Sequence, residues 1–489
     1  MAKHRLDGNS VDAILLAIIR LLTTFLGIFS TMLLSKSLSL LAYGTYSQAN
    51  LIISIGSSFS IIGLSDATSF YFNRAGTENE ARESVNTIFA IQCTIGILLG
   101  FCIILFRNAF VLYFQNEQLL GLFVYIAFRP LLNNLIAMLQ NLQVSIGRTK
   151  AVAARNVVLS TVKIIAIYLA VNVFDDIKTI FIIMLLLDAI TAVYYFASFA
   201  SEKFPIQIWK FNTRKVRDIL AFSIPMGVYV LTNALSRDID KVCVSRLAGT
   251  EMLAIYTNCS TILPVDIISA AFLTVIIPLM TRFIAEKKQK QGAELFAKYI
   301  QIGYFTTVTF SVAILTLSRQ MIDFLYGSKY LVGEPIFALY IVVSALRFAN
   351  LSLVLSANGE TKRLMAISIV GLAANVLLNI IFFYLFGIVG PALATVAVTS
   401  ATTIIMLRRS CQVLQTGIKS ILNARQFAVF CCELIATMVP FRILAGRMNE
   451  GGVPSLLCIL IVGGSMCAII FLLNFRKMIT LIKEINNIK

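Results

Sequence analysis

Residues 12–35 read DAILLAIIRLLTTFLGIFSTMLLS, a run in which Arg20 is the only base and Asp12 the only acid. A membrane-crossing helix needs about 20 mainly apolar residues. This run has that length and lacks the small-residue cleavage site of a secretory signal. It is expected to be a retained first helix behind the polar residues 1–11, which carry Lys3 and Arg5. Runs of the same kind recur near 44–66, 84–106, 118–145, 152–174, 178–200, 218–245, 251–281, 296–318, 332–357, 364–386, 388–407, 426–446 and 453–475. They are too long for strands and lack period-two alternation, and only helices or closed barrels satisfy their backbone inside lipid. The expected fold class is all-α, a polytopic membrane protein of about 14 transmembrane helices.

Composition agrees. Of 489 residues, 58% are hydrophobic and 13% charged, against about 25% charged in a soluble domain, and the mean hydropathy is +0.86. Little chain remains for an extramembrane domain, which excludes a soluble enzyme. The net charge of +17 is read as basic loops rather than nucleic-acid binding. Fourteen spans put both termini on one side, and the bases concentrate on that side. Lys203, Lys210, Arg214, Lys215 and Arg217 share one such loop, and Arg282, Lys287, Lys288, Lys290 and Lys298 another. The positive-inside rule makes both termini cytoplasmic.

An internal repeat shows at an offset of about 210. The segment Leu41-Ala42-Tyr43-Gly44-Thr45-Tyr46 resembles Met252-Leu253-Ala254-Ile255-Tyr256, and Gly147-Arg148-Thr149-Lys150 matches Gly359-Glu360-Thr361-Lys362 at an offset of 212. Both fall at equivalent points of a six-helix unit, as in a transporter of two parallel repeats. The expected organisation is an N-terminal lobe at 1–201, a basic cytoplasmic linker at 202–217, a second lobe at 218–410, and two further helices with a cytoplasmic tail at 411–489. The last two helices, with Gly463, Gly464 and Ser465, are either accessory or part of a lipid-accessible groove.

Several chemistries are excluded by absence. His4 is the only histidine, no glycine precedes a lysine, and the nine cysteines form no CxxC pair. Histidine triads, HExxH sites and P-loops are therefore ruled out. No catalytic residue, metal or cofactor is expected, and the adjacent Cys431 and Cys432 read as packing residues.

Six bases fall inside apolar runs: Arg20, Arg129, Lys163, Arg237, Lys241 and Arg347. Each costs about 3 kcal/mol at mid-bilayer even on the lenient scale, so each is expected to face a polar cavity, to meet a carboxylate, or to snorkel. The carboxylates at similar depth are Asp188, Asp238, Asp240, Asp266 and Glu433. That leaves one positive charge in excess, which favours an anionic ligand. Helical spacing puts Arg237 and Lys241 on one face and lets Asp238 meet Lys241. Asp188, with no base beside it in sequence, and Asp240 are the candidates for proton or Na⁺ coupling, because a buried carboxylate can take up a cation. Pro225, Pro264 and Pro278 interrupt the seventh and eighth runs as kinks or hinges. Asn133, Asn134, Gln140, Asn141 and Gln143 make the fourth run polar, to bind sugar hydroxyls or to line water.

The six-plus-six-plus-two pattern, the segments at 41–46 and 147–150, and Asp240-Lys241 resemble the multidrug/oligosaccharidyl-lipid/polysaccharide (MOP) exporter superfamily. Within it they resemble the polysaccharide-transport branch, the Wzx-type O-antigen and oligosaccharide flippases. The resemblance covers nearly the whole chain, and its motifs are topological rather than catalytic. It implies a non-enzymatic, two-lobe alternating-access flippase of the bacterial inner membrane. Such a protein moves an undecaprenyl-pyrophosphate-linked oligosaccharide through a cationic cavity, with Arg20 foremost in engaging the pyrophosphate. Implied partners are the lipid-linked substrate, membrane lipids, a polysaccharide polymerase and a chain-length regulator, with no nucleic acid. The alternative is a cation-coupled multidrug exporter of the same superfamily, whose cavity should be acidic or aromatic.

Overall fold

The computed structural model describes residues 9–174, 176–201 and 204–487. Among the described residues all regular structure is helical, and eleven helical stretches are long and apolar enough to cross a membrane. The protein is an integral membrane protein of the all-α class.

The chain divides into two compact units, Met1–Ala254 and Ile255–Lys489. The first begins with α1 (Asn9–Ser37), α2 (Leu40–Ile61), α3 (Leu64–Arg74), α4 (Glu78–Leu105) and α5 (Arg107–Phe114). It continues with α6 (Phe123–Ile126), α7 (Arg129–Ser145), α8 (Thr149–Leu169), α9 (Ile177–Ser201) and α10 (Thr213–Ala248). Helix α11 (Thr250–Cys259) carries the boundary, and α12 (Ile267–Ala285), α13 (Gln289–Gly303), α14 (Thr309–Thr316) and α15 (Ser318–Tyr326) follow. Then come α16 (Glu334–Leu346), α17 (Leu353–Ala357), α18 (Thr361–Phe386), α19 (Gly390–Val413) and α20 (Ile418–Leu422). The chain closes with α21 (Ala424–Glu450), α22 (Ser455–Cys458) and α23 (Gly464–Asn487).

The two glycine turns quoted from the sequence match in the backbone. After α7 the chain turns through Gly147 (φ 86°), with Arg148 N–H donating to Gln143 O at 3.0 Å. After α17 it turns through Gly359 (φ 73°), with Glu360 N–H donating to Leu355 O at 2.9 Å. Both are left-handed helix caps that glycine adopts without a Cβ penalty, and each delivers the chain into a long helix at Thr149 or Thr361. A 3-10 segment likewise precedes the broken fourth helix at Glu117–Leu122 and its counterpart at Ser328–Gly333.

Several apolar runs are not single helices. The run expected over 251–281 breaks between Cys259 and Ile267, at Pro264, which has no N–H to continue the ladder. Pro225 and Pro278, by contrast, lie inside the continuous helices α10 and α12. The fourth run also breaks, at Ala127 and Phe128, before α7 opens with Pro130 in its first turn, where a missing N–H costs nothing.

In the first unit, Val85, Ile88 and Phe89 of α4 pack with Leu135, Met138, Leu139 and Leu142 of α7 and with Tyr195 and Phe199 of α9. In the second, Tyr299, Tyr304 and Phe305 pack with Phe430 of α21 and with Met466 and Ile470 of α23. The last two long helices are thus fused to the core of that unit.

Helix α10 packs on α2, α3 and α4, and the backbones come close at Gly227. A Cβ there would lie 2.5 Å from the Ile62 carbonyl carbon and 2.7 Å from its Cα. Neither atom can move without moving the backbone. Gly227→Ala is expected to destabilise by about 1–3 kcal/mol through overpacking. Gly446→Ala, in α21 where nothing lies within 4 Å of the new Cβ, should be neutral or stabilising by up to about 1 kcal/mol. Thermal unfolding of both variants in detergent checks the pair.

Candidate functional site

The break before α7 sets Arg129 at the start of that helix, 8% exposed. Its Nε and Nη2 donate to Asp188 Oδ2 on α9 at 3.1 and 2.9 Å. Lys163 of α8 brings Nζ to 3.4 Å from the other oxygen, Oδ1. One carboxylate, 3% exposed, is thus shared by two cations from two other helices. The cluster carries net charge +1. Its exposed member is Lys163, with 39% of its side-chain area accessible. A charge buried this way is retained only because it is paired and hydrogen-bonded.

The second cluster lies along α10. Lys241 Nζ donates to Asp238 Oδ1 and to the Arg237 carbonyl, both at 3.0 Å, which is the expected local ladder. Asp238 Oδ2 accepts from Ser54 Oγ of α2 at 2.8 Å. Asp240 is 2% exposed, and its Oδ1 accepts from the Lys241 N–H at 2.8 Å. Arg237 is exposed.

Two of the six bases remain. Arg347 sits in the turn after α16, exposed, with its N–H bonded to Val343 O at 3.2 Å. The Arg20 side chain lies outside the described residues, although its helix α1 packs along α8, the helix of Lys163.

The polar residues of the fourth run join helices. Asn134 donates to Ser57 O and Ser60 Oγ at 2.9 and 2.7 Å, and Asn141 to Ser65 Oγ at 2.6 Å. Gln140 reaches Asn156 at 3.1 Å, and Gln143 reaches Ser198 at 3.3 Å. Such bonds act as interhelical glue where lipid offers no alternative partner.

One cluster was not singled out from the sequence. Gln48, fully buried, donates to Ser245 Oγ at 2.9 Å and Thr250 Oγ1 at 3.1 Å, and its carbonyl accepts from Asn116 at 2.7 Å. It pins α2 to the end of α10 and the start of α11. The available signal was the polar run Thr45-Tyr46-Ser47-Gln48 inside an apolar segment.

Outside the spans, Glu360 joins the second repeat turn to α19. Arg409 donates to it through Nε and Nη2 at 2.9 and 2.7 Å. These bonds, with others from Asn358 and Arg363, hold its carboxyl down to about 2.

The chain is thus an all-α membrane protein with charged side chains held inside its spanning helices, and solved structures share its fold. One is the inward closed conformation of the lipid II flippase MurJ, with a TM-score of 0.70 at 16% identity, covering 95% of this chain and 100% of that one. Another is the inward-facing conformation of a multidrug resistance MATE family transporter of the MOP superfamily. Its TM-score is 0.66 at 13% identity, covering 82% of this chain and 98% of that one.

Residues 33–335 match the family of polysaccharide biosynthesis proteins, and the chain belongs to it. A curated relative, the teichuronic acid biosynthesis protein TuaB of Bacillus subtilis, is 25% identical over 188 residues. The match spans 37% of each chain, so it covers well under half of that relative's length.

Two outcomes test the site's electrostatics. Asp188→Asn leaves Arg129 buried without its counter-charge and is expected to cost about 3–5 kcal/mol. The double replacement Arg129→Met with Asp188→Leu should recover most of that loss. Thermal unfolding in detergent reads both. Glu360 has a depressed folded-state pKa, so its contribution is present above the ordinary value of 4.5 and is lost as pH falls from there towards 2. Glu360→Gln is accordingly expected to cost at most about 1 kcal/mol at pH 7, with the gap to the parent closing between pH 5 and about pH 2. A pH series of unfolding midpoints shows whether it closes.

Proposed function

We propose that the protein is a non-enzymatic flippase that moves a lipid-linked oligosaccharide across the bacterial cytoplasmic membrane by alternating access. The substrate class is an undecaprenyl-pyrophosphate-linked repeat unit of a surface polysaccharide. The observation that carries the reading is the Arg129–Asp188–Lys163 cluster, which sets a net positive charge within spanning helices of a polysaccharide biosynthesis protein. A pyrophosphate is the complementary charge. The fold shared with a lipid II flippase supports the same class.

Within this reading Lys163 and Arg237, both accessible, engage the headgroup, together with Arg20, Lys241 and Arg347. Arg129 acts as a positioning residue, since it is buried and donates through Nε and Nη2 to Asp188. Asp188 and Asp240 remain the carboxylates for ion coupling. Protonating Asp188 removes the charge that holds Lys163 and Arg129, so coupling there would release cationic charge at the moment a substrate phosphate needs it. The termini are assigned to the cytoplasm by the positive-inside rule. A polymerase and a chain-length regulator are the expected partners in the pathway.

Multidrug export is the second reading, favoured by the fold shared with a MATE transporter. Deleting the gene and restoring it separates the two. Loss of surface polymer with lipid-linked units accumulating on the cytoplasmic face is the expected outcome, and Lys163→Ala at normal membrane abundance should restore polymer poorly. Normal polymer with new sensitivity to cationic dyes would transfer the assignment to drug export.

A further inference from the structure

The first unit contains an apolar cavity of about 510 Å³ between α2, α4, α5 and α10 that the proposed transport does not use. Its floor is Ile52, Ile103 and Phe114, each at most 5% exposed. The rim is aromatic, with Phe59, Phe106 and Tyr113 exposed at 49, 57 and 41%. Val242 closes the α10 side. The volume lies within the range of ligand sites, about 300–1,000 Å³. Three of its walls, α2, α4 and α10, are membrane-crossing helices, so the side of the cavity that they line meets hydrocarbon rather than water.

One guanidinium stands at the same rim, and a second arginine adjoins it in sequence. Arg246 lies one helical turn beyond Val242 on α10, with its guanidinium 6.0 Å from the Tyr113 ring centroid. Arg107 opens α5 beside Phe106, two residues before Ala109, which lines the cavity. Both arginines are exposed. An apolar slot with guanidinium groups at its lip is complementary to one kind of molecule, an acyl chain that ends in a phosphate-bearing headgroup.

Size selects among such molecules. A methylene takes about the space of a water, roughly 30 Å³. The cavity therefore holds about one acyl chain and only a fraction of a polyprenyl tail. Positive charge at the lip also opposes a cationic drug.

We propose that this cavity binds one acyl chain of an anionic membrane phospholipid, whose headgroup is held by Arg246 and Arg107. The site is distinct from the Arg129–Asp188–Lys163 cluster, and it stands whether the transported substrate is an oligosaccharide lipid or a drug.

Native mass spectrometry of the intact purified chain, titrated with phosphatidylglycerol and with phosphatidylcholine of the same acyl length, tests the assignment. The parent protein is expected to prefer phosphatidylglycerol by about fivefold for each arginine engaged. Ala109→Trp fills the cavity from an exposed position and should abolish binding of both lipids. Arg246→Gln, at an exposed position whose change should leave the fold intact, is expected to lower the preference about fivefold while phosphatidylcholine binding persists. Equal binding of the two lipids by the parent protein would overturn the proposal. So would an Arg246→Gln variant with undiminished preference, a folded Ala109→Trp variant that still binds, or displacement of the lipid by ethidium. Should Ala109→Trp fail to fold, the Arg246→Gln comparison decides alone.

Discussion

Hydrocarbon offers no partner to a polar group, and everything distinctive in this protein follows from that constraint. Backbone amides must be satisfied within each helix, so the chain is helical wherever it crosses. Charged side chains must be satisfied between helices. At Asp188 the second requirement brings three helices to one carboxylate, with Arg129 on one oxygen and Lys163 on the other. The pairing fixes the depth and rotation of α7, α8 and α9 relative to each other, and it leaves one surplus cation partly exposed.

The same constraint governs the neutral polar residues. Gln48, Asn134, Asn141 and Gln143 would each be costly in lipid, and each is spent joining helices of the first unit. Only where a polar or basic group is left accessible, as at Lys163 and Arg237, is there capacity for a ligand. Binding capacity is thus what remains after structural satisfaction, which is why the polarity of a segment is a poor guide to its chemistry.

The turns at Gly147 and Gly359 both pass through a glycine at positive φ, yet the residue after the glycine is Arg148 in one and Glu360 in the other. Glu360 now binds Arg409 across to α19. One turn geometry thus carries different charges and different interactions at its two occurrences.

The all-α class and the approximate positions of the spans were legible in the chain, because run length is a local quantity. The Asp238–Lys241 pair was legible for the same reason, being one helical turn apart. Asp188 was not. It seemed isolated because its partners lie 59 and 25 residues away on other helices, and helix rotation alone decides that they meet. Pro225, Pro264 and Pro278 were all read as interruptions, but that only Pro264 falls in a break was not legible, since neighbouring helices determine whether a proline ends a helix or is absorbed by it. The sequence by itself determined which residues must leave water and which of them carry charge. Tertiary structure decided which opposite charges meet, because that depends on packing between helices that no local pattern encodes.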